Sequence, residues 1–243
     1  MKLKRLLHQA WLYAIALGWT SFAHAQTDVT SKYIKNAGFE ESPVTYTTAS
    51  GTTAQTAKIG TKGKIFTITN WTNASVCNNN AVHIATTEYG FSSAVDGTNG
   101  STPPASDNNG ATGVALAMSA GWGDDAIVEQ VTNLPAGAYS LTYSICNQHS
   151  NTSIAVNFTG VKLADGSTKT GSLSSAAQGA WVSETIYFTV PTQQDVTIRI
   201  GFTTSTGGSG DGAKLYVDNL KLLKYEDAAF DMTSWIANAG FEQ

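Results

Sequence analysis

Residues 181–190 read WVSETIYFTV, with Val182, Ile186, Phe188 and Val190 on alternate positions and Trp181, Ser183, Thr185 and Tyr187 between them. A strand turns successive side chains to opposite faces, so this period of two marks a strand packed on one face and wet on the other. The same spacing recurs in GVALAMS (Val114, Leu116, Met118), AYSLTYSICNQ (Tyr139, Leu141, Tyr143, Ile145), SIAVNFT (Ile154, Val156, Phe158) and DVTIRIGF (Val196, Ile198, Ile200, Phe202). No ten-residue segment after residue 26 carries apolar residues at helical period. Turn signals separate the runs: LPAG at 134–137, ADG at 164–166 and TGGSGDG at 206–212. Together these predict an all-β chain, a two-sheet antiparallel β-sandwich of the jelly-roll type.

Composition bounds what such a sandwich does. Only 13% of residues are charged, while Gly alone occurs 23 times, as expected of loops that are polar but uncharged. Residues 92–112, SSAVDGTNGSTPPASDNNGAT, hold almost no large apolar side chain and read as a long surface loop. At the start, MKLKRLLHQ is basic, AWLYAIALGW is apolar, and AHA ends at Ala25 in a small-x-small pattern. Residues 1–25 are therefore expected to be a cleaved secretory signal, too short in its apolar part to span a bilayer, with the mature chain starting near Gln26. Cleavage removes Lys2, Lys4 and Arg5, leaving 11 basic against 18 acidic residues and a formal charge of −7. Nucleic acid and anionic membrane surfaces call for the opposite sign. Cys77 and Cys146 in an exported chain either pair or stay as two separate buried thiols; their spacing leaves both open.

Two irregularities stand out. DVTSKYIKNAGFE (28–40) aligns with DMTSWIANAGFE (231–242) after one deletion, so the element occurs twice. In AKLYVDNLKLLKY (213–225) the apolar phase jumps from Leu215 and Val217 to Leu220 and Leu222, with Asp218 and Asn219 at the break. A one-residue slip exchanges the faces of a strand, which predicts a bulge there.

In order along the chain stand N-x-x-F-E (Asn36, Phe39, Glu40), a Trp after a polar segment (Trp71), Q-x-V-x-x-L-P-x-G-x-Y-x-L (Gln130 to Leu141), a Trp-led strand ending FTV (Trp181 to Val190) and Y-V-D-N-L-x-L (Tyr216 to Leu222). This series, covering about residues 30–224, resembles the CenC-type carbohydrate-binding modules and the wider galactose-binding-domain-like jelly rolls. The resemblance implies a module over 26–224 with Phe39 of its opening strand facing the core. It also implies a structural calcium near Glu40 and Asp218, whose alternative role is to accept hydrogen bonds from loop amides. Residues 225–243 are then a linker and the start of a second, truncated module.

Sugar recognition sets an aromatic face against a pyranose ring and fixes polar groups around it. Trp71 and Trp181 stand where the resembled family packs them inside, and Trp235 belongs to the repeated element. Trp122, in SAGWGDD, has glycines beside it and Asp124 and Asp125 after it, so one turn holds a platform and two acceptors; alternatively the ring folds back to plug the sandwich end. Tyr89 and Phe91 in EYGF, and Asn147 and Gln148 closing a strand, are secondary candidates. Tyr187 and Arg199 project from the wet faces of successive strands and are expected to be cross-strand neighbours.

Acid/base hydrolysis needs two carboxylates at a set separation in a cleft, and no motif selects a pair among the many acids present. Neither G-x-S-x-G nor a paired His is found after the signal. The expectation is a secreted or cell-surface, non-catalytic module that binds polysaccharide or another glycan, joined covalently to further modules. The alternative is a structural or adhesive spacer of the same fold without a sugar site.

Overall fold

A computed structural model describes residues 26–42, 45–48, 51–54, 64–65, 67–75, 80–85, 114–120, 123, 125–148, 156–158, 160–171, 179–204 and 213–225. The signal segment, the loop at 92–112, the turn at 206–212, Cys77 and the second NAGFE lie outside them. One compact unit spans Thr27–Lys224; in the remainder, Met1–Gln26 with Tyr225–Gln243, only Gln26 and Tyr225 are described.

The described strands are β1 (Gln26–Asp28), β2 (Thr45–Thr48), β3 (Gly51–Ala54), β4 (Lys64–Ile65), β5 (Thr72–Asn73), β6 (Asn80–Ala85), β7 (Ala115–Ala120), β8 (Asp125–Leu134), β9 (Gly137–Asn147), β10 (Val156–Phe158), β11 (Gly160–Lys162), β12 (Thr168–Thr170), β13 (Trp181–Val190), β14 (Gln194–Thr204) and β15 (Ala213–Tyr225). A first sheet runs β13-β9-β15-β7-β6-β4, with β1 also on β15. The second runs β12-β11-β14-β8-β5, with β10 also on β14, and β2 and β3 form a separate ribbon. The parallel β4–β6 contact departs from the antiparallel rule. Residues of both sheets meet in one apolar core, so the two-sheet sandwich expected from the alternation is what forms.

Connections between the sheets explain the order. β8 ends in the second sheet and β9 begins in the first, with Pro135 and Ala136 between them. Tyr139 donates its hydroxyl proton to Pro135 O at 2.9 Å and stacks on Phe188 at 5.5 Å, which ties this corner to the core. β13 and β14 cross between the sheets in the same way beside it, since Val190 faces Gly137 and Gln194 faces Leu134. Gly201, on β14, has φ +147, and a Cβ there would stand 2.0 Å from Ala126 O. Only glycine lets these two backbones approach so closely.

The segment before β2 is not the opening strand expected. A short helix α1 (Thr30–Tyr33) is followed by turns as far as Ser42. Positive φ at Asn36 (50°) and Phe39 (60°) is incompatible with extended chain, and Asn tolerates that region because its amide bonds locally. Asn36 Nδ2 donates to Ser42 Oγ and Thr69 O, both at 2.9 Å, while its Oδ1 accepts from Glu41 N. Phe39 is nonetheless fully buried, its ring 5.6 Å from that of Trp71, whose indole N–H donates to Asn36 O. Gln130 of β8 holds the segment from the other side, accepting from Lys35 N at 2.8 Å and donating to Asn70 O at 2.7 Å. We refer to residues 28–42 as the clip.

The expected bulge is present. Asn219 has φ 51°, the β15–β7 ladder ends at Val217, and Leu215, Val217, Leu220 and Leu222 all lie in the core. Asp218 Oδ1 accepts from Asn219 N, and Leu220 N turns to Ala37 O at 3.1 Å, so the bulge exchanges one sheet partner for the clip. Gly201→Ala is expected to lower stability by on the order of 3 kcal/mol, from left-handed strain and overlap with Ala126 O. Chemical denaturation checks it, and an unchanged midpoint would contradict this account of the β8–β14 contact.

Candidate functional site

Alternation along β13 and β9 sends Trp181, Ser183, Thr185, Tyr187 and Thr189 outward, opposite Cys146, Ser144, Thr142, Ser140 and Ala138. Tyr187 is 67% exposed, although its neighbours on the core face are buried. Thr142 Oγ1 and Thr185 Oγ1 lie 3.1 Å apart, forming a hydroxyl pair between the two strands. Six residues along a strand span about 20 Å, so Trp181 and Tyr187 mark the ends of a strip with Ser183 and Thr185 exposed between them. None of the ten positions is Asp or Glu.

At its Trp181 end the strip meets two of the sequence candidates. Trp181 pairs with Cys146 and packs partly on a small second cluster of Ala85, Ala115, Ala117, Cys146 and Tyr216. Asn147 O accepts from Gly179 N at 2.7 Å, Gln148 N donates to Lys214 O at 2.9 Å, and Gln148 Nε2 donates to Cys146 Sγ at 3.3 Å. Cys146 is a free, buried thiol whose pKa burial raises. Asp125, half-buried, opens β8 opposite Thr203. β8 and β9 are joined at their other ends, so Asp125 lies at the same end of the sandwich as Asn147 and Gln148. Gly123, with φ 84°, donates its N–H to Thr204 Oγ1 and fixes the start of that turn. Trp122, Asp124, Tyr89 and Phe91 lie outside the described residues.

The pairing of Tyr187 with Arg199 is corrected. β13 belongs to the first sheet and β14 to the second, because the Pro191–Gln193 connection crosses the sandwich. Arg199 instead pairs across β8, with Nε 3.2 Å from Glu129 Oε2. Trp71 and Trp181 take the packed roles expected of them, fully in the first case and partly in the second.

Glu40 and Asp218 both stand beside Gly38. A Cβ built on Gly38 would lie 3.7 Å from Glu40 Cγ and 3.8 Å from Asp218 Oδ1, so both acids flank that glycine. Asp218 is buried and Glu40 exposed. Hard oxygen donors of this kind suit calcium, although among the described residues no cluster of three or more His, Cys, Asp or Glu gathers as a metal set. An open cleft of about 510 Å³ runs beside them, lined by Asp28, Thr30, Ser31, Lys35, Glu40 and Glu41 among others. Among the described residues no aromatic ring lines it.

No protein-family profile matches the chain, and no curated protein matches its sequence. Solved structures to which the chain is similar include a family 61 carbohydrate-binding module in complex with β-1,4-galactotriose: 13% identity, 79% of this chain and 97% of that one, TM-score 0.47. Another comes from work on carbohydrate-binding modules of the β-sandwich superfamily, at 16% identity over 73% of this chain and 71% of the other, TM-score 0.41. A family 22 xylan-binding domain from Paenibacillus barcinonensis shares 9% identity over 70% of this chain and 94% of its own, TM-score 0.37.

Next to Gln148, whose backbone N–H donates to its carbonyl, Lys214 is buried opposite Ser119, and desolvation holds its pKa down to about 8 from an ordinary 10.5. Between those values the unfolded chain keeps a proton that the folded chain has released, so this group makes stability rise with pH. Burial raises Tyr143 and Cys146, which act in the opposite sense as their unfolded forms ionise. Measured against Lys214→Met, which leaves those two unchanged, the wild-type chain is expected to gain stability from pH 8 to pH 10.5, by roughly 3 kcal/mol at most. Parallel pH profiles of the two proteins would contradict the burial of this amine.

Proposed function

We propose that the chain is an exported, non-catalytic carbohydrate-binding module whose binding track follows the outward face of β13. The observation that carries this reading is Tyr187, a large ring held 67% exposed by a rigid strand beside a run of hydroxyls. A stacked pyranose would cover that ring, and Ser183, Thr185 and Thr142 would meet its hydroxyls. Trp181, Asn147 and Gln148 extend the track toward the end where Gly123 and Asp125 lie. Ten outward positions without a carboxylate favour binding over acid/base hydrolysis. Export rests on residues 1–25, and a multi-modular setting rests on the repeated clip sequence.

Affinity electrophoresis against a panel of soluble plant and host polysaccharides tests it. Retardation on at least one glycan is expected, with Tyr187→Ala weakening apparent affinity about tenfold and Trp122→Ala reporting on the second aromatic. Absence of retardation on every glycan would favour the spacer, while retardation indifferent to Tyr187 would move the track elsewhere. Calcium at Glu40 and Asp218 belongs to the same proposal. The melting temperature should rise with added Ca²⁺, and Glu40→Gln with Asp218→Asn should abolish the rise. A wild-type melting curve unmoved by calcium would remove the ion from this account.

A further inference from the structure

The clip gives the repeated sequence a chemical meaning that does not depend on glycan binding. Thr30 Oγ1 accepts from Leu222 N at 2.8 Å, and Asp28 pairs with Lys221 at 3.6 Å. Ile34 and Phe39 enter the core, Asn36 gathers the turn, and Ala37 O takes Leu220 N. Each of these residues has an identical counterpart in 231–242: Asp231, Thr233, Ile236, Phe241, Asn238 and Ala239.

Differences between the copies fall elsewhere. Lys32, deleted in the second copy, is exposed, and Lys35, replaced by Ala237, is exposed while meeting Gln130 through its backbone. Val29 and Tyr33, which pack only partly against the core, become Met232 and Trp235, both still apolar. Ser31 and Glu40, which line the cleft, are kept as Ser234 and Glu242. Gln243 supplies a backbone N–H where Glu41 N meets the Asn36 amide. Side chains that grip the sandwich are retained, and the exposed lysines are not.

We propose that residues 231–242 are a second clip, and that its partner is a second copy of this chain, whose socket between Trp71, Gln130 and Leu220–Leu222 it enters in place of that copy's residues 28–40. The socket is complementary because this chain builds it for the same side chains. Insertion of one copy's tail into the next is a head-to-tail contact, which adds copies in a line rather than closing a symmetric pair. In the unaltered protein the tethered first clip wins through its high effective concentration. Weakening the first clip hands the socket to the second.

The test uses the full chain. Asn36→Ala, which loosens the first clip, is expected to make the melting temperature rise across an about hundredfold range of protein concentration and to give dimers and longer species by light scattering. Adding Phe241→Ala should abolish both effects, whereas Phe241→Ala alone should melt as the unaltered protein does. Should Asn36→Ala not fold, Thr30→Ala removes the acceptor for Leu222 N together with the hydroxyl that donates to Asp28 Oδ1, and serves in its place. A labelled synthetic peptide of residues 231–243 should bind the Asn36→Ala/Phe241→Ala chain, and the same peptide carrying Phe241→Ala should not. Concentration-independent recovery would overturn the proposal by returning the second clip to its own chain. Identical behaviour of the Asn36→Ala chain with and without Phe241 would overturn it outright.

Discussion

A single carboxamide sets the side wall of this sandwich. Past Val217 the last strand has lost its neighbour β7, and Leu220 N turns instead to Ala37 O in the clip. Asn36 holds the turn by three hydrogen bonds while in a left-handed conformation, and so aims Phe39 at Trp71. Without that geometry Leu220 N loses its acceptor and the core opens between Leu220 and Trp71. Buried polar groups left unpaired cost about 1–3 kcal/mol each, so the wall is held by satisfied polar groups as much as by apolar area.

The opposite edge follows a different rule. β13 is the terminal strand of the first sheet, ten residues long and paired on the described side with β9 alone. Glu184 alternates with Val182 and Ile186 on its core-facing side, opposite Tyr143. An inward-pointing charge on an edge strand discourages pairing with a further strand. Its presence disturbs the tyrosine: burial first, and the Glu184 charge second, push the Tyr143 pKa up. The edge strand that carries the exposed ring thus also carries a guard against association along its length.

Much of this was legible in the sequence. Alternation gave β7, β9, β13 and β14 with the apolar side chains of each that face the core, because period two is a direct consequence of strand geometry. The phase jump at Asp218 and Asn219 located the bulge, and Phe39 was correctly placed inside. NAGFE did not announce itself as a turn, since Phe39 adopts positive φ only through tertiary contacts to Trp71 and Asn36. Nor was sheet membership legible: neighbours in sequence, β13 and β14, lie in different sheets, so Tyr187 and Arg199 part company. The hydroxyl strip was invisible for the same reason, because β13 pairs with β9, some forty residues earlier, and no local signal encodes that register.

Amide chemical-shift mapping addresses the central claim most directly. The ¹⁵N-labelled chain is titrated with an oligosaccharide of whichever polysaccharide retards it most. Shifts concentrated on Ser183 to Thr189 and on Thr142, with the clip unmoved, are the result this account predicts. Shifts confined to residues 28–41, with β13 silent, would contradict it.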